Sequence, residues 1–306
     1  MITTMKPVNI AKNRIHPDTK PAYTHLNVAD LKQQISFYEQ VLRLKLNWHK
    51  DNSAGLGTDK KDLVQLTQVE GAKRHDDVTG MYHFAILYPS RQELAHAVFK
   101  LLELRWPNSP TDHVMTKSIY LDDPEGNTVE LYCESPEDGV FFIKDGEVYA
   151  RHTDGTISNG REFLDVDKAL FSYLKSDAKP SKFISLKTRM GHFHLYVANL
   201  EATKHFYHDL LGFDDMGVAK SFKMGMVSAG GYHHHIGYNT WQGKNAPPPP
   251  PDSLGLRYFV FNLPSQAELE KLHQSLKSLN VSFEKNTDGL TLHDLSDNTI
   301  LLTTTK

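Results

Sequence analysis

Cysteine is nearly absent. Cys133 stands alone in 306 residues, so no intrachain disulfide can form, which fits a reducing cytoplasm. No apolar run approaches the roughly 18–20 residues of a membrane span. The opening stretch MITTMKPVNIAKNR lacks the apolar core of a signal peptide. There is no long basic run, and the net charge is only −3, so nothing argues for nucleic acid or an anionic membrane as a partner. Together these absences predict a cytoplasmic protein. Hydrophobic residues (39%) and charged residues (23%) occur at ordinary globular levels, and the length suits two domains. Histidine, by contrast, is plentiful at 17 residues. The useful question is which of them fall on strands that face a common space.

The chain repeats one small pattern. THLNVADLKQQISFYEQVLRLKL (24–46) parallels FHLYVANLEATKHFYHDLLGFDD (193–215): a histidine, an alternating strand, a turn, then a helix ending in Phe-Tyr and a leucine pair. His25 to Tyr38 is 13 residues, as is His194 to Tyr207. YHFAILYPSRQELAHAVFKLLE (82–103) parallels RYFVFNLPSQAELEKLHQSLKS (257–278), each a strand, Pro-Ser and a helix. The second unit of each half closes with a strand, turn and strand, SIYLDDPEGNTVELY (118–132) and HDLSDNTILLT (293–303). Each unit is βαβββ and too small to bury its own sheet. The predicted fold is therefore α+β: four βαβββ modules paired into curved mixed β-sheets that enclose a cavity, with helices outside. The predicted domains are an N-terminal tail (1–20), modules 1 and 2 (21–133), a linker or insertion (134–186), and modules 3 and 4 (187–306). The linker holds turn-rich FIKDGEVYARHTDGTISNG and a predicted helix, FLDVDKALFSYLK (163–175). Pro247–Pro251 reads as a polyproline spacer.

With DPEGNTVELY, the repeated H-L-x-V-A-[DN]-L and the four-unit length, nearly the whole chain resembles the vicinal-oxygen-chelate superfamily of glyoxalases, bleomycin resistance proteins and extradiol dioxygenases. GMYHFAILYPSRQEL, GHFHLYVANL and GGYHHHIGYNTW resemble its Bacillus catechol 2,3-dioxygenase-type subgroup. The resemblance implies a dioxygenase that opens catechol or a substituted catechol or hydroquinone with O2 at non-haem Fe(II), with Mn(II) as the other candidate metal. A homo-oligomer is compatible with it. The alternatives it leaves are a glyoxalase-like metal-dependent lyase or thiol transferase, and a metal-free small-molecule binding protein.

Such an iron site takes two imidazoles and one carboxylate on one face. The resemblance places a His on the first strand of one module, a Glu on its last, and a second His on the partner's first strand. The second module has His83 and Glu130, whereas the fourth has Tyr258 and Leu301. His83 and Glu130 are thus the expected pair. If consecutive modules pair, His25 completes the triad; if the middle ones pair, His194 does. His194 is preferred, because the third module carries YHHHIGYN where the first has DLVQLTQ. His192 alternates with His194 and is its rival. A lone strand histidine is more often a hydrogen-bonded residue than a ligand; three positions filled together carry the expectation. Glu130 should point into a cavity between sheets, where a cation would offset the cost of burying a carboxylate.

For proton transfer, the resemblance implies Tyr120, ten residues before Glu130 on the preceding strand, with His113 nearby. In GGYHHHIGYNTW, strand alternation sends His233 and His235 to one face and His234 to the other. Alternation leaves open which face meets the cavity; the resemblance to the dioxygenases makes His235 the expected base, with His233 beside it and Asn239 and Trp241 in the pocket lining. His205 and His208 are expected on the surface.

Overall fold

The structure is a computed structural model that describes residues 12–174 and 181–304. The first eleven residues of the expected tail and the end of the expected linker helix lie outside them. The first module comprises β1 (Lys20–Val28), α1 (Leu31–Gln40), β2 (Lys45–Lys50), β3 (Ser53–Gly57) and β4 (Asp62–Gln68). The second has β5 (Gly80–Tyr88), α2 (Arg91–Glu103), β6 (Ser109–Asp112), β7 (Thr116–Asp122) and β8 (Thr128–Glu134). The insertion follows as β9 (Gly139–Lys144), β10 (Glu147–His152), β11 (Ile157–Ser158), β12 (Glu162–Phe163) and a short α3 (Val166–Ala169). The third module has β13 (Arg189–Tyr196), α4 (Leu200–Lys204), β14 (Asp214–Ala219), β15 (Met224–Ser228) and β16 (Ile236–Asn239). The fourth has β17 (Gly255–Leu263), α5 (Gln266–Ser278), β18 (Glu284–Lys285), β19 (Leu290–His293) and β20 (Thr299–Thr304).

The repeated Pro-Ser pairs end a strand and start a helix. Ser90 and Ser265 cap α2 and α5 by accepting from the amides of Glu93 and Glu268, and Asp30 and Asn199 do the same for α1 and α4. Beyond α4 the chain widens into a π-turn over His205–Leu210. There His208 is buried, with Nδ1 2.6 Å from the Phe213 carbonyl, contrary to the expected surface place; His205 is exposed beside Asp209. A widened turn rotates side chains off the regular 3.6-residue spacing.

The middle modules pair with each other. One sheet runs β12-β6-β7-β8-β5-β13-β16-β15-β14, and the other β18-β19-β20-β17-β1-β4-β3-β2. Strands β5 and β13 join antiparallel, as do β1 and β17. The sheets pack through Phe193 against Phe259 and Phe261, with ring centroids 5.0 and 5.7 Å apart. Consecutive modules are pinned at symmetric places. Tyr38 Oη donates to Asp123 at 3.1 Å, and Tyr207 Oη donates to Asp294 at 3.0 Å. The Phe-Tyr repeat thus docks the helical segments of the first and third modules on the closing turns of the second and fourth.

The insertion departs from its expected form. It is strand-rich: β9, β10 and β11 form a separate sheet, and β12 adds to β6 at the edge of the nine-stranded one. Of the expected helix over 163–175, the described part holds α3 and one 3-10 turn at Phe171–Tyr173.

Candidate metal centre

Side-chain alternation divides the central strands cleanly. On β5, Phe84, Ile86 and Tyr88 enter the main core, while His83, Ala85 and Leu87 face the other way. On β8, Val129 and Leu131 enter the core and Glu130 and Tyr132 do not. The side away from the core opens on a cavity of about 360 Å³. Its lining runs from Ser109 on β6 to Met224 and Met226 on β15, and includes Phe141, Val148 and Arg161 from the insertion. Strands β6 and β15 are six steps apart in the sheet. Laid flat they would lie about 29 Å from each other, so the sheet curls round the space. No lining residue comes from the eight-stranded sheet. Glu130 therefore faces the hollow of one sheet, closed by the insertion, and not a gap between two sheets.

Register explains which groups meet. Across three strands, Glu130 on β8 lies beside Ala85 on β5, which lies beside His192 on β13. Ala85 is small, so the flanking side chains can lean over it, and His83 reaches the same point from two residues along β5. Glu130 Oε2 is 3.0 Å from His192 Nε2 and 3.2 Å from His83 Nε2, and the two Nε2 atoms are 3.2 Å apart. All three residues are buried. A bulge at Gly191, between Met190 and His192, sets this register, and a compensating shift at Tyr82 follows on β5. A Cβ on residue 191 would stand 2.1 Å from the Tyr132 hydroxyl, so glycine lets the bulge sit against that ring.

His192 thus takes the place expected for His194. His194 lies directly opposite His83, with ring centroids 5.0 Å apart, but its Nε2 accepts from Asn239 Nδ2 at 3.0 Å. Its ring rests on Gly237, where a Cβ would come within 3.0 Å. His25 belongs to the other sheet, bonded to Thr67 Oγ1 at 2.7 Å. Thr67 pairs with Asn27 as Glu130 pairs with Ala85, so that sheet has threonine where the site has its carboxylate.

The trio suits a cation. Three ligands held at about 2.1 Å and at right angles stand about 3.0 Å apart, the spacing of one octahedral face. Burial pushes the Glu130 carboxyl up, but His192 and His83 outweigh it and hold the group well below the usual carboxylate range. Burial pushes His192 down to about 4, and it drives His194 well down too, with His83 and His192 adding to the effect. A carboxylate beside two imidazole nitrogens is the donor set a divalent metal takes.

Around the trio stand groups able to handle protons. His113 Nδ1 donates to the Gly160 carbonyl at 2.5 Å, which leaves Nε2 as the acceptor for the Tyr120 hydroxyl at 3.0 Å. Burial, then the Glu130 charge, raises the Tyr120 phenol well above its ordinary value. In GGYHHHIGYNTW the strand begins only at Ile236, because Gly230 and Gly231 are left-handed (φ 66° and 72°) and hold the preceding residues in a loop. Alternation fails there. His233 and His234 both line the cavity, as does Trp241. His235 does not: its Nδ1 accepts from the Ala229 amide at 3.1 Å and meets Ser228 Oγ at 3.0 Å, and its ring lies edge-on to Phe261 of the other sheet. His234 sits 4.2 Å from His192 by centroid and is backed by His233, Nδ1 to Nδ1 at 2.8 Å. His233 Nε2 is 3.6 Å from Glu134, which also accepts from Tyr232. The sequence reasoning missed His234, Glu134, Tyr82 and Arg161. The Gly-Gly pair before the histidines was the signal for the first.

The model of the Glyoxalase/Bleomycin resistance protein/Dioxygenase superfamily matches residues 20–131 and 189–291. The chain belongs to this superfamily. A Catechol-2,3-dioxygenase of Bacillus subtilis (strain 168) is 34% identical over 285 residues, 92% of this chain and 95% of that one. Among solved structures, one from Bacillus subtilis superposes with a TM-score of 0.60 at 12% identity, covering 96% of this chain and 86% of the other. Glyoxalase I from Zea mays gives 0.54 at 13% identity, covering 94% and 92%. These likenesses concern the superfamily fold alone. The two matched spans flank the insertion.

Proposed function

We propose that the chain is an extradiol-type dioxygenase that opens aromatic 1,2-diols with O2, using Fe(II), or Mn(II), held by His83, Glu130 and His192. The observation that carries this reading is the convergence of those three side chains beside an aromatic-lined cavity. The relative named for catechol cleavage, alike over nine-tenths of the chain, supports it.

When bound, the metal would supply a Lewis-acidic point within reach of both diol oxygens and dioxygen. The protein's own groups do the rest. Burial and three neighbouring histidines keep His234 well below its ordinary pKa, so it is neutral and can accept a diol proton; no protein group among the described residues bonds its Nε2. His233 and Glu134 hold its ring. The Tyr120–His113 pair holds a proton on the phenol oxygen, on the opposite side of the trio. The insertion and the aromatic wall cover part of the cavity and limit its contact with water. The lyase alternative calls for a fourth protein ligand, and the cluster holds three among the described residues.

Anaerobic loading with Fe(II), followed by O2 uptake with a panel of catechols, tests the reading. Stoichiometric O2 consumption and a yellow ring-opened product are expected. A fully loaded protein that consumes no O2 with any catechol would remove it.

A further inference from the structure

The cavity is larger than a bare ring needs. About 150 Å³ is enough for a benzene-sized guest, and this space is about 360 Å³. The surplus has a definite chemistry. Phe141, Val148, Phe222, Met224 and Met226 give an apolar wall, and Arg161 is the one cationic residue in the lining. Its guanidinium lies over the Phe222 ring at 4.8 Å and faces Trp241 at 5.9 Å. Stacking of this kind fixes the plane and leaves the edge N–H donors free. No carboxylate among the described residues forms an ion pair with it.

The backbone that carries it is anchored at the site. The Arg161 amide donates to Asn159 Oδ1 at 3.0 Å, and the carbonyl of Gly160 receives His113. A guanidinium without a carboxylate partner, stacked on Phe222 in the lining of an apolar cavity, can receive a planar anion bidentately.

Resting on the reading of the site as a ring-opening centre, we propose that its substrates are aromatic diols carrying a carboxylate on a short apolar arm, and that Arg161 of the insertion selects them. The apolar wall takes the arm, and the guanidinium takes the carboxylate.

The test uses the metal-loaded full chain with 3-(3,4-dihydroxyphenyl)propionate and its neutral amide, which share ring, arm and shape. The expected result is a kcat/KM about tenfold or more higher for the acid, carried mainly by KM, as a charge-assisted contact in a partly open site would give. Arg161→Gln should collapse the ratio to near one, and Arg161→Lys should restore part of it. Equal values for the two compounds in the parent protein, or a ratio that survives Arg161→Gln, would overturn the proposal. If neither compound is opened, anaerobic binding followed by tryptophan fluorescence decides separately. Tighter binding of the acid that is lost in Arg161→Gln keeps Arg161 as the selector, equal binding removes it, and the ring-opening reading stands or falls with the catechol panel.

Discussion

Replacing His192 separates the observed centre from the expected one. Its Nε2 is 3.0 Å from Glu130 and 3.2 Å from His83, so His192→Ala removes one of three converging donors. Loss of a group that merely supports a ligand costs about 10–100-fold in metal affinity. Loss of a ligand should exceed the upper figure, at roughly 3 kcal/mol or more. His194 is the control. Its Nε2 is already engaged by Asn239, so His194→Ala acts only through packing against His83 and should cost less than about tenfold. The assay is anaerobic Fe(II) loading, dialysis against graded chelator, and iron per chain, with thermal unfolding to confirm the fold of each variant. The reverse order, with His194→Ala losing the metal and His192→Ala keeping it within tenfold, would refute the reasoning.

Three further outcomes are expected. His234→Ala should lower kcat by about 10²–10⁴-fold, whereas His235→Ala should leave kcat within a few fold and reduce unfolding free energy by about 1–3 kcal/mol, because it strands the buried Ala229 amide; turnover and urea unfolding on both variants compare them. Burial, with Arg257 adding, pushes His25 down to about 4. The unfolded chain therefore takes up that proton first. Stability is complete above pH about 6.5, falls as pH drops toward 4, and loses roughly 3 kcal/mol in all; His25→Gln should flatten the slope in urea titrations at several pH values, and an unchanged slope counts against it. Gly191→Ala forces a Cβ to within 2.1 Å of the Tyr132 hydroxyl, so the bulge must shift and His192 with it. Metal affinity should drop well over tenfold in the chelator assay, and parent-like loading would show that the bulge is not what places His192.

The internal repeats were plain because each module must solve the same local problem. Pro-Ser before a helix, Asp or Asn before another, and an Asp-led turn closing a hairpin are short-range devices, and all appear where the spacing puts them. His83 and Glu130 were legible for the same reason: each sits on a regular strand whose alternation holds. The errors fall where regular periodicity stops. A bulge at Gly191 separates His192 from the strand before it, and a left-handed Gly-Gly pair holds His233 and His234 in a loop. The bulge changes which of two histidines on one face lies beside Ala85 and Glu130, and the glycine pair breaks the alternation of faces before Ile236.

The sequence by itself determined the four modules, their helix caps, the strand faces and the asymmetry that leaves a carboxylate in one sheet only. These follow from interactions within a few residues of one another. Tertiary structure decided that the second module pairs with the third, that His192 and not His194 meets Glu130, and that the insertion folds over the cavity and brings Arg161 to it. Those outcomes depend on inter-strand register and on which surfaces remain to be buried once the modules exist, and neither is encoded at short range.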